Sequence, residues 1–165
     1  MTFGLRVSRL GHHDRALEQL GAALDLQPNW ALGRTMYGLA LIRAGRFDQA
    51  VTETGDALRM SPVDTFAGLY SVFHGLALLA ARRFPEALVH LRRSVKGLPD
   101  FFGNYYALIS CCGHLGLIDE AQMYLQQRDR ISDSPYRASI CRRNLSRFAH
   151  GEVVVEGLLK AGVPE

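Results

Sequence analysis

The sequence predicts an all-α fold in which about four helical hairpins stack into a solenoid. The main observation is a run of four alanines at intervals of 34, 37 and 34 residues: Ala16, Ala50, Ala87 and Ala121. A period near 34 residues is the length of one helix–turn–helix unit, and such a unit buries its apolar face only by stacking on its neighbours. Prolines at a similar spacing are expected to end the units, because proline does not continue a helix: Pro28, Pro62 and Pro99.

A tight turn is predicted before each of these alanines. Gly11, Gly45 and Gly116 stand where a helix would end in a left-handed residue, a conformation that glycine adopts at the least cost. The third unit has Arg82 at this position, so we expect its turn to be strained or different in shape. Where an aspartate follows the glycine, its carboxylate is stabilised at the positive end of the next helix.

These signals divide a single domain, residues 1–165, into successive units. The predicted boundaries are a truncated first unit in 1–28, a second in 29–62, a third in 63–99, a fourth in 100–132, and C-terminal helices in 135–165. The segment from Leu69 to Ala81 is apolar on nearly all sides, which predicts the central buried helix. It is too short for a membrane span of about 20 residues, and we expect no signal peptide.

The two ends of the stack are predicted to differ. Met1 falls inside the first helix of its unit, and the residues after it offer little of the polar cap that terminal repeats carry. Either the chain is part of a longer array, or this open end pairs with another copy in a homodimer. At the other end, two helices in 137–148 and 152–160 are predicted to close the array, the second as a capping helix.

The segment from Leu39 to Ala50, LALIRAGRFDQA, resembles a tetratricopeptide repeat, and the resemblance extends over about residues 1–132. It implies a right-handed superhelix whose first helices line the concave side. Residues 155–165, VEGLLKAGVPE, are similar to the ends of repeat domains that follow bacterial class III adenylate or guanylate cyclases and winged-helix transcription regulators. This implies a regulatory or oligomerisation domain in a cytoplasmic signalling protein. An autonomous scaffold or adaptor with its own peptide ligand is the alternative.

The same resemblance, carried onto this sequence, gives a candidate partner-binding groove. Its lining positions are Leu32, Thr35, Leu39, Ile42, Leu69, Val72, Leu76, Leu79, Tyr106, Ser110 and His114. These positions lack the Lys, Arg and Asn with which some repeat proteins clamp a terminal carboxylate, so an apolar helix or peptide is the expected ligand. The alternative is a surface covered by the chain's own terminal helices or by a dimer mate. Leu39→Asp and Leu76→Asp are expected to abolish partner capture without unfolding the domain.

A second candidate is the basic stretch 128–147, which holds six arginines against two aspartates in a chain whose net charge is only +3. Its patch consists of Arg137, Arg142, Arg143 and Arg147. A solvated helix face is the simpler interpretation, and a dock for an acidic partner segment is the functional one. The arginines are not interleaved with a series of aromatic residues, so nucleic-acid binding is not expected.

The sequence predicts neither an enzyme nor a metalloprotein. It has no nucleophile elbow, phosphate loop or dinucleotide fingerprint, and its acids and serines do not converge in the repeat register. The three cysteines lack metal-ligand spacing and are expected to be small buried residues in a reducing cytosol. The six histidines are expected to have structural roles or to lie on the surface. We therefore expect a protein or peptide partner, no cofactor and no membrane association.

Overall fold

The computed structural model describes residues 3–63, 65–132, 134 and 136–165, with residues 3–13 and 102 as backbone alone. These described residues form nine α-helices and one short 3-10 helix, without a strand. The helices are α1 (Phe3–Leu26), α2 (Ala31–Ala44), α3 (Phe47–Met60), α4 (Ala67–Ala80), α5 (Phe84–Gly97), a 3-10 helix (Phe102–Asn104), α6 (Tyr105–His114), α7 (Ile118–Arg130), α8 (Ala138–Leu145) and α9 (Gly151–Lys160). The predicted all-α solenoid is confirmed.

The middle of the chain consists of three hairpins, α2–α3, α4–α5 and α6–α7, each with a tight left-handed turn. Gly45 and Gly116 have φ of 83° and 71°, and Arg82 holds the same position with φ of 59°. In each turn two successive backbone amides donate to carbonyls of the preceding helix, as when Arg82 N donates to Leu79 O at 2.9 Å. The third turn therefore keeps the shape of the other two, and its arginine adopts a left-handed conformation that costs a residue with a Cβ more than it costs glycine.

The first unit differs from the prediction. Helix α1 runs without a break from Phe3 to Leu26, so the turn expected at Gly11 does not form. A glycine permits a turn but does not impose one, since a helix accepts it at a cost of about 1 kcal/mol. The first unit thus contributes one helix, which packs against α2.

The periodic small residues set the distance between the helices of each hairpin. Ala50, Ala87 and Ala121 are fully buried. Across the hairpin, a Cβ added at Gly75 would approach Leu91 Cγ to 2.6 Å, closer than van der Waals contact allows. Helix α4 is the predicted central helix, because it packs against α2, α3, α5, α6 and α9. No helix among the described residues is long and apolar enough to cross a membrane.

The C-terminal hairpin α8–α9 turns back over the array. Helix α9 packs against α6 and α8, and more lightly against α4. The segment between α8 and α9 reaches the end of α2, where the Ala149 amide donates to the Arg43 carbonyl at 3.1 Å. At its other end, the Ala138 amide that opens α8 donates to the Pro164 carbonyl at 2.7 Å. The first bond therefore attaches the hairpin to α2, and the second joins the two ends of the hairpin to each other.

Candidate functional site

The predicted groove positions lie deeper than an open groove requires. Six of the eleven are buried, with exposed fractions of 3% or less: Thr35, Ile42, Val72, Leu76, Leu79 and Ser110. The other five are half-buried: Leu32, Leu39, Leu69, Tyr106 and His114. The buried six belong to the core of the array, which corrects the expectation that all eleven line an accessible surface.

In the fourth unit, α9 is what covers these positions. The His114 ring nitrogen Nε2 lies 2.7 Å from the Val153 carbonyl oxygen, and the His114 ring stacks on Phe84 with centroids 4.2 Å apart. A Cβ added at Gly157 would collide with the Ser110 hydroxyl and carbonyl. Only glycine allows so close an approach. In the fourth unit, the chain's own terminal helix therefore packs over Ser110 and His114.

The burial of Leu76 also corrects the proposed pair of test substitutions. Leu76 is 1% exposed in the centre of α4, so an aspartate there would place a carboxylate in the core. The loss of partner capture by Leu76→Asp would then report unfolding. Leu39 is half-buried and remains usable as a surface probe.

The hairpin leaves one large cleft unfilled, between the end of α2 and helices α8 and α9. We call it the C-terminal cleft; its volume is about 1010 Å³. Leu145, Phe148 and Leu159 give it apolar walls, and Arg43, Arg142 and Arg147 give it positive charge. A smaller cavity of about 360 Å³ adjoins α8, with Tyr106, Tyr136 and Cys141 among its walls.

The predicted basic patch is divided by the fold. Arg142 and Arg147 line the C-terminal cleft, whereas Arg137 and Arg143 do not. Arg142 forms an ion pair with the Glu165 side chain, and Arg137 donates to the Glu165 carbonyl oxygen at 3.2 Å. Arg143 and Arg147 are exposed and form no ion pair within the described part of the chain. The patch is therefore partly neutralised by the chain itself.

The sequence analysis did not single out Arg43, Phe148 or His150. The Arg43 guanidinium lies 4.7 Å from the centroid of the Phe148 ring, a cation–π contact. The Phe148 ring in turn stacks on His150, which is 2% exposed. Burial, and then repulsion from Arg43, lower the pKa of His150 to about 4. The three residues come together only because the segment between α8 and α9 returns to α2. No pattern of neighbouring residues in the sequence therefore indicates this contact.

Two kinds of site that the sequence argued against, a metal site and a reactive cysteine, can be compared with the described side chains. No group of three or more His, Cys, Asp or Glu side chains among them is placed to hold a metal ion. Cys111 and Cys112 are fully buried, and burial raises the pKa of each thiol to about 12. Neither is a thiolate at neutral pH, and the thiolate is the nucleophilic form. The predicted pairing through the N-terminal end involves side chains outside the described ones and stays a prediction.

Comparison with protein families matches residues 1–65 to the tetratricopeptide repeat. Comparison with curated proteins finds no match. Among solved structures, a crystal structure of MamA is 17% identical with a TM-score of 0.67, over 98% of this chain and 93% of that chain. MamA 41-end from Desulfovibrio magneticus RS-1 is 20% identical with a TM-score of 0.64, over 96% and 88% of the two chains.

YrrB, described as a TPR protein with an unusual peptide-binding site, is 21% identical with a TM-score of 0.62. That match spans 98% of this chain and 82% of YrrB. Identities this low establish the fold alone. Residues 1–65 thus match the tetratricopeptide repeat, and the chain has an α-solenoid fold similar to that of these solved structures.

Proposed function

We propose that this chain is a non-catalytic protein–protein interaction module that binds a segment of a partner in its C-terminal cleft. The observation that carries the proposal is the cleft itself, which is large enough for several side chains and has apolar walls. Ligand pockets typically have volumes of about 300–1,000 Å³. Six of the eleven predicted groove positions are buried, and α9 packs against α6, so the C-terminal cleft offers a partner more open space than those positions do.

The finer proposal is a regulatory or oligomerisation domain of a cyclase-type or transcriptional signalling protein in a bacterial cytoplasm. It is supported by the similarity of residues 155–165 to the ends of such domains. In this fold the same residues form the packed end of the array: Leu158 and Ala161 are fully buried, and the Ala161 carbonyl accepts a hydrogen bond from Gln122 at 2.7 Å.

The second candidate is an autonomous scaffold or adaptor. It is favoured by the open cleft, because binding of a peptide there does not require that the chain be covalently attached to a signalling domain. The peptide-binding site of YrrB, a protein of similar fold, is an analogy for this use. A catalytic or DNA-binding region encoded in the same reading frame would favour the first candidate over this one.

Site-specific photo-crosslinking tests the proposal. The amino acid p-benzoylphenylalanine is placed at Leu159, which lies in the cleft and is 42% exposed. The matched control is Ile118, which is 41% exposed and does not line the cleft. We expect the Leu159 position to crosslink to one partner in cells of the source organism, and the Ile118 position to give no adduct with that partner. Equal adducts from both positions, or none from Leu159, would contradict the proposal.

A further inference from the structure

Charged side chains are unevenly distributed between the walls of the C-terminal cleft, and this distribution favours some partners over others. One wall is formed by the end of α2, by α8 and by the segment after α8, and it carries Arg43, Arg142 and Arg147. The opposite wall is α9, which carries Glu152 and Glu156. A partner in the cleft interacts mainly with the charged side chains that form no ion pair within the chain.

One of the two carboxylates of the cleft, that of Glu156, is paired within the chain. The Glu156 carboxylate accepts from Lys160 at 2.8 Å and from Arg82 at 3.2 Å. On the other wall, only Arg142 is paired, with Glu165. Within the described part of the chain, Arg43 and Arg147 form no ion pair, which leaves two cations against the single carboxylate of Glu152.

The charge of Arg43 also acts on two titratable groups near this wall. Arg43 adds to the burial that lowers the pKa of His150, and it acts against the burial that raises the pKa of Tyr106. Both effects have the sign that a nearby positive charge produces. An acidic group that enters the cleft would meet this potential close to apolar surface, where screening by water is weaker than on an open face.

The apolar part of the cleft supplies an anchor point. Leu159 is 42% exposed on a helix where Val154 and Leu158 are fully buried. It lines the cleft together with Leu145 and Val155. An apolar side chain placed here would remove Leu159 from water, with a gain of about 25 cal/mol per Å² of apolar area.

We propose that the C-terminal cleft receives a short partner segment in which acidic residues flank an apolar side chain. The apolar side chain lies against Leu159 and Leu145, and the carboxylates face Arg43 and Arg147. The inference deepens the proposed function, on which it rests, by naming the chemistry of the partner. In this proposal the arginines of the basic wall select partner segments with acidic residues, and the two leucines hold the apolar side chain of the segment.

Fluorescence anisotropy with synthetic peptides tests this chemistry. The probe is a labelled peptide of about 12 residues, with leucine at every third or fourth position and glutamate between, in the pattern of a helix that fills a groove. Two comparison peptides replace all glutamates by lysine or all leucines by serine. We expect the glutamate–leucine peptide to bind, and each comparison peptide to bind at least about 10-fold more weakly. Its affinity should fall as salt is raised, because the carboxylates face solvent-accessible arginines.

Charge reversal in the protein provides the matched test. Arg43→Glu combined with Arg147→Glu is expected to weaken the glutamate–leucine peptide at least about 10-fold. The control, Arg59→Glu combined with Arg93→Glu, makes the same change of charge at exposed positions outside the cleft and is expected to leave binding unchanged. If the double cleft variant does not fold by circular dichroism, Arg147→Glu alone serves, since Arg147 is exposed and forms no described ion pair.

Three results of these binding measurements would overturn the inference. They are equal binding of the lysine peptide, unchanged binding in the folded cleft variant, and no binding of the glutamate–leucine peptide at about 1 mM. A Leu159 crosslink to a segment without acidic residues would overturn the stated chemistry while the interaction function stands. A Leu159 crosslink to a second copy of this chain alone would make the cleft a self-association surface and overturn the inference.

Discussion

Gly113 on α6 and Gly157 on α9 face each other so closely that a Cβ at Gly113 would overlap the carbonyl oxygen of Gly157. Neither glycine has a positive φ, so both are required by the space between the helices. The close approach lets Val154 and Leu158 sink completely into the core. The seating of the C-terminal hairpin, and with it the shape of the cleft, depends on this contact.

Gly157→Ala is therefore expected to destabilise the chain. The added methyl group meets the Ser110 hydroxyl and backbone, and overpacking of this kind costs about 1–3 kcal/mol in the free energy of unfolding. Urea denaturation followed by circular dichroism measures the change. Gly21→Ala in α1 is the matched control, since nothing lies within 4 Å of its added Cβ. That substitution should stabilise by about 0.5–1 kcal/mol, because alanine favours a helix. Equal effects of the two substitutions would contradict the close α6–α9 contact.

Leu76→Asp is expected to reduce the free energy of unfolding by more than about 3 kcal/mol. The substitution removes a fully packed side chain and buries a carboxylate among apolar neighbours. Thermal or urea unfolding measures the loss. Leu159→Asp places the same residue on the exposed side of α9 and should change stability by no more than about 0.5 kcal/mol. A stable, folded Leu76→Asp protein would show that this position is accessible, as an open groove requires.

Arg82→Gly is expected to stabilise the chain by about 0.5–1 kcal/mol. Arg82 has φ of 59°, and glycine adopts this conformation without the steric cost that a Cβ brings. The substitution also removes the ion pair with Glu156, at 3.2 Å, but both partners are exposed and such pairs contribute little. Arg82→Ala separates the two effects, because it loses the ion pair and keeps the Cβ. If alanine and glycine gave the same unfolding free energy, the left-handed turn would carry no strain.

Stability is expected to fall as pH is lowered from about 6.5 to about 4. The pKa of His150 is lowered to about 4 by burial and by Arg43, so in this window the unfolded chain binds a proton that the folded chain does not. The contribution of His150 to the free energy of unfolding is thus fully present above the pKa that this residue has in the unfolded chain. Below that pKa it falls by at most about 1.4 kcal/mol per pH unit. Urea titrations at pH 7, 6 and 5 measure the slope. His150→Gln should reduce it, and an unchanged slope would show that His150 does not carry the effect.

The sequence was most informative about features that repeat. The alanine period places Ala50, Ala87 and Ala121 at buried positions, and the glycine turns locate the ends of α2 and α6 within a residue or two. These predictions succeed because each hairpin is a local unit, in which the turn residue and the small packing residue lie close in sequence. Arg82 was also recognisable in advance, since it interrupts a glycine series.

The candidate site was much harder to predict, for two physical reasons. A glycine within a helix is compatible with either a turn or a continuous helix, which is why α1 passes through Gly11. The second reason is that the cleft arises where Ala149 meets Arg43, two residues far apart in sequence. The repeat register assigns the concave face to the first helices, but it does not reveal that α9 packs against α6.

The hydrogen bond between Ala149 and Arg43 has a consequence for how the chain unfolds. In an open solenoid each repeat contacts only its neighbours, so terminal repeats fray while the middle stays folded. Here the last hairpin is attached to the second helix, and α9 also contacts α4 and α6. Loss of the last hairpin therefore exposes the core of earlier units. We therefore expect the C-terminal hairpin to unfold together with α4 and α6, against which α9 packs, and not to fray on its own.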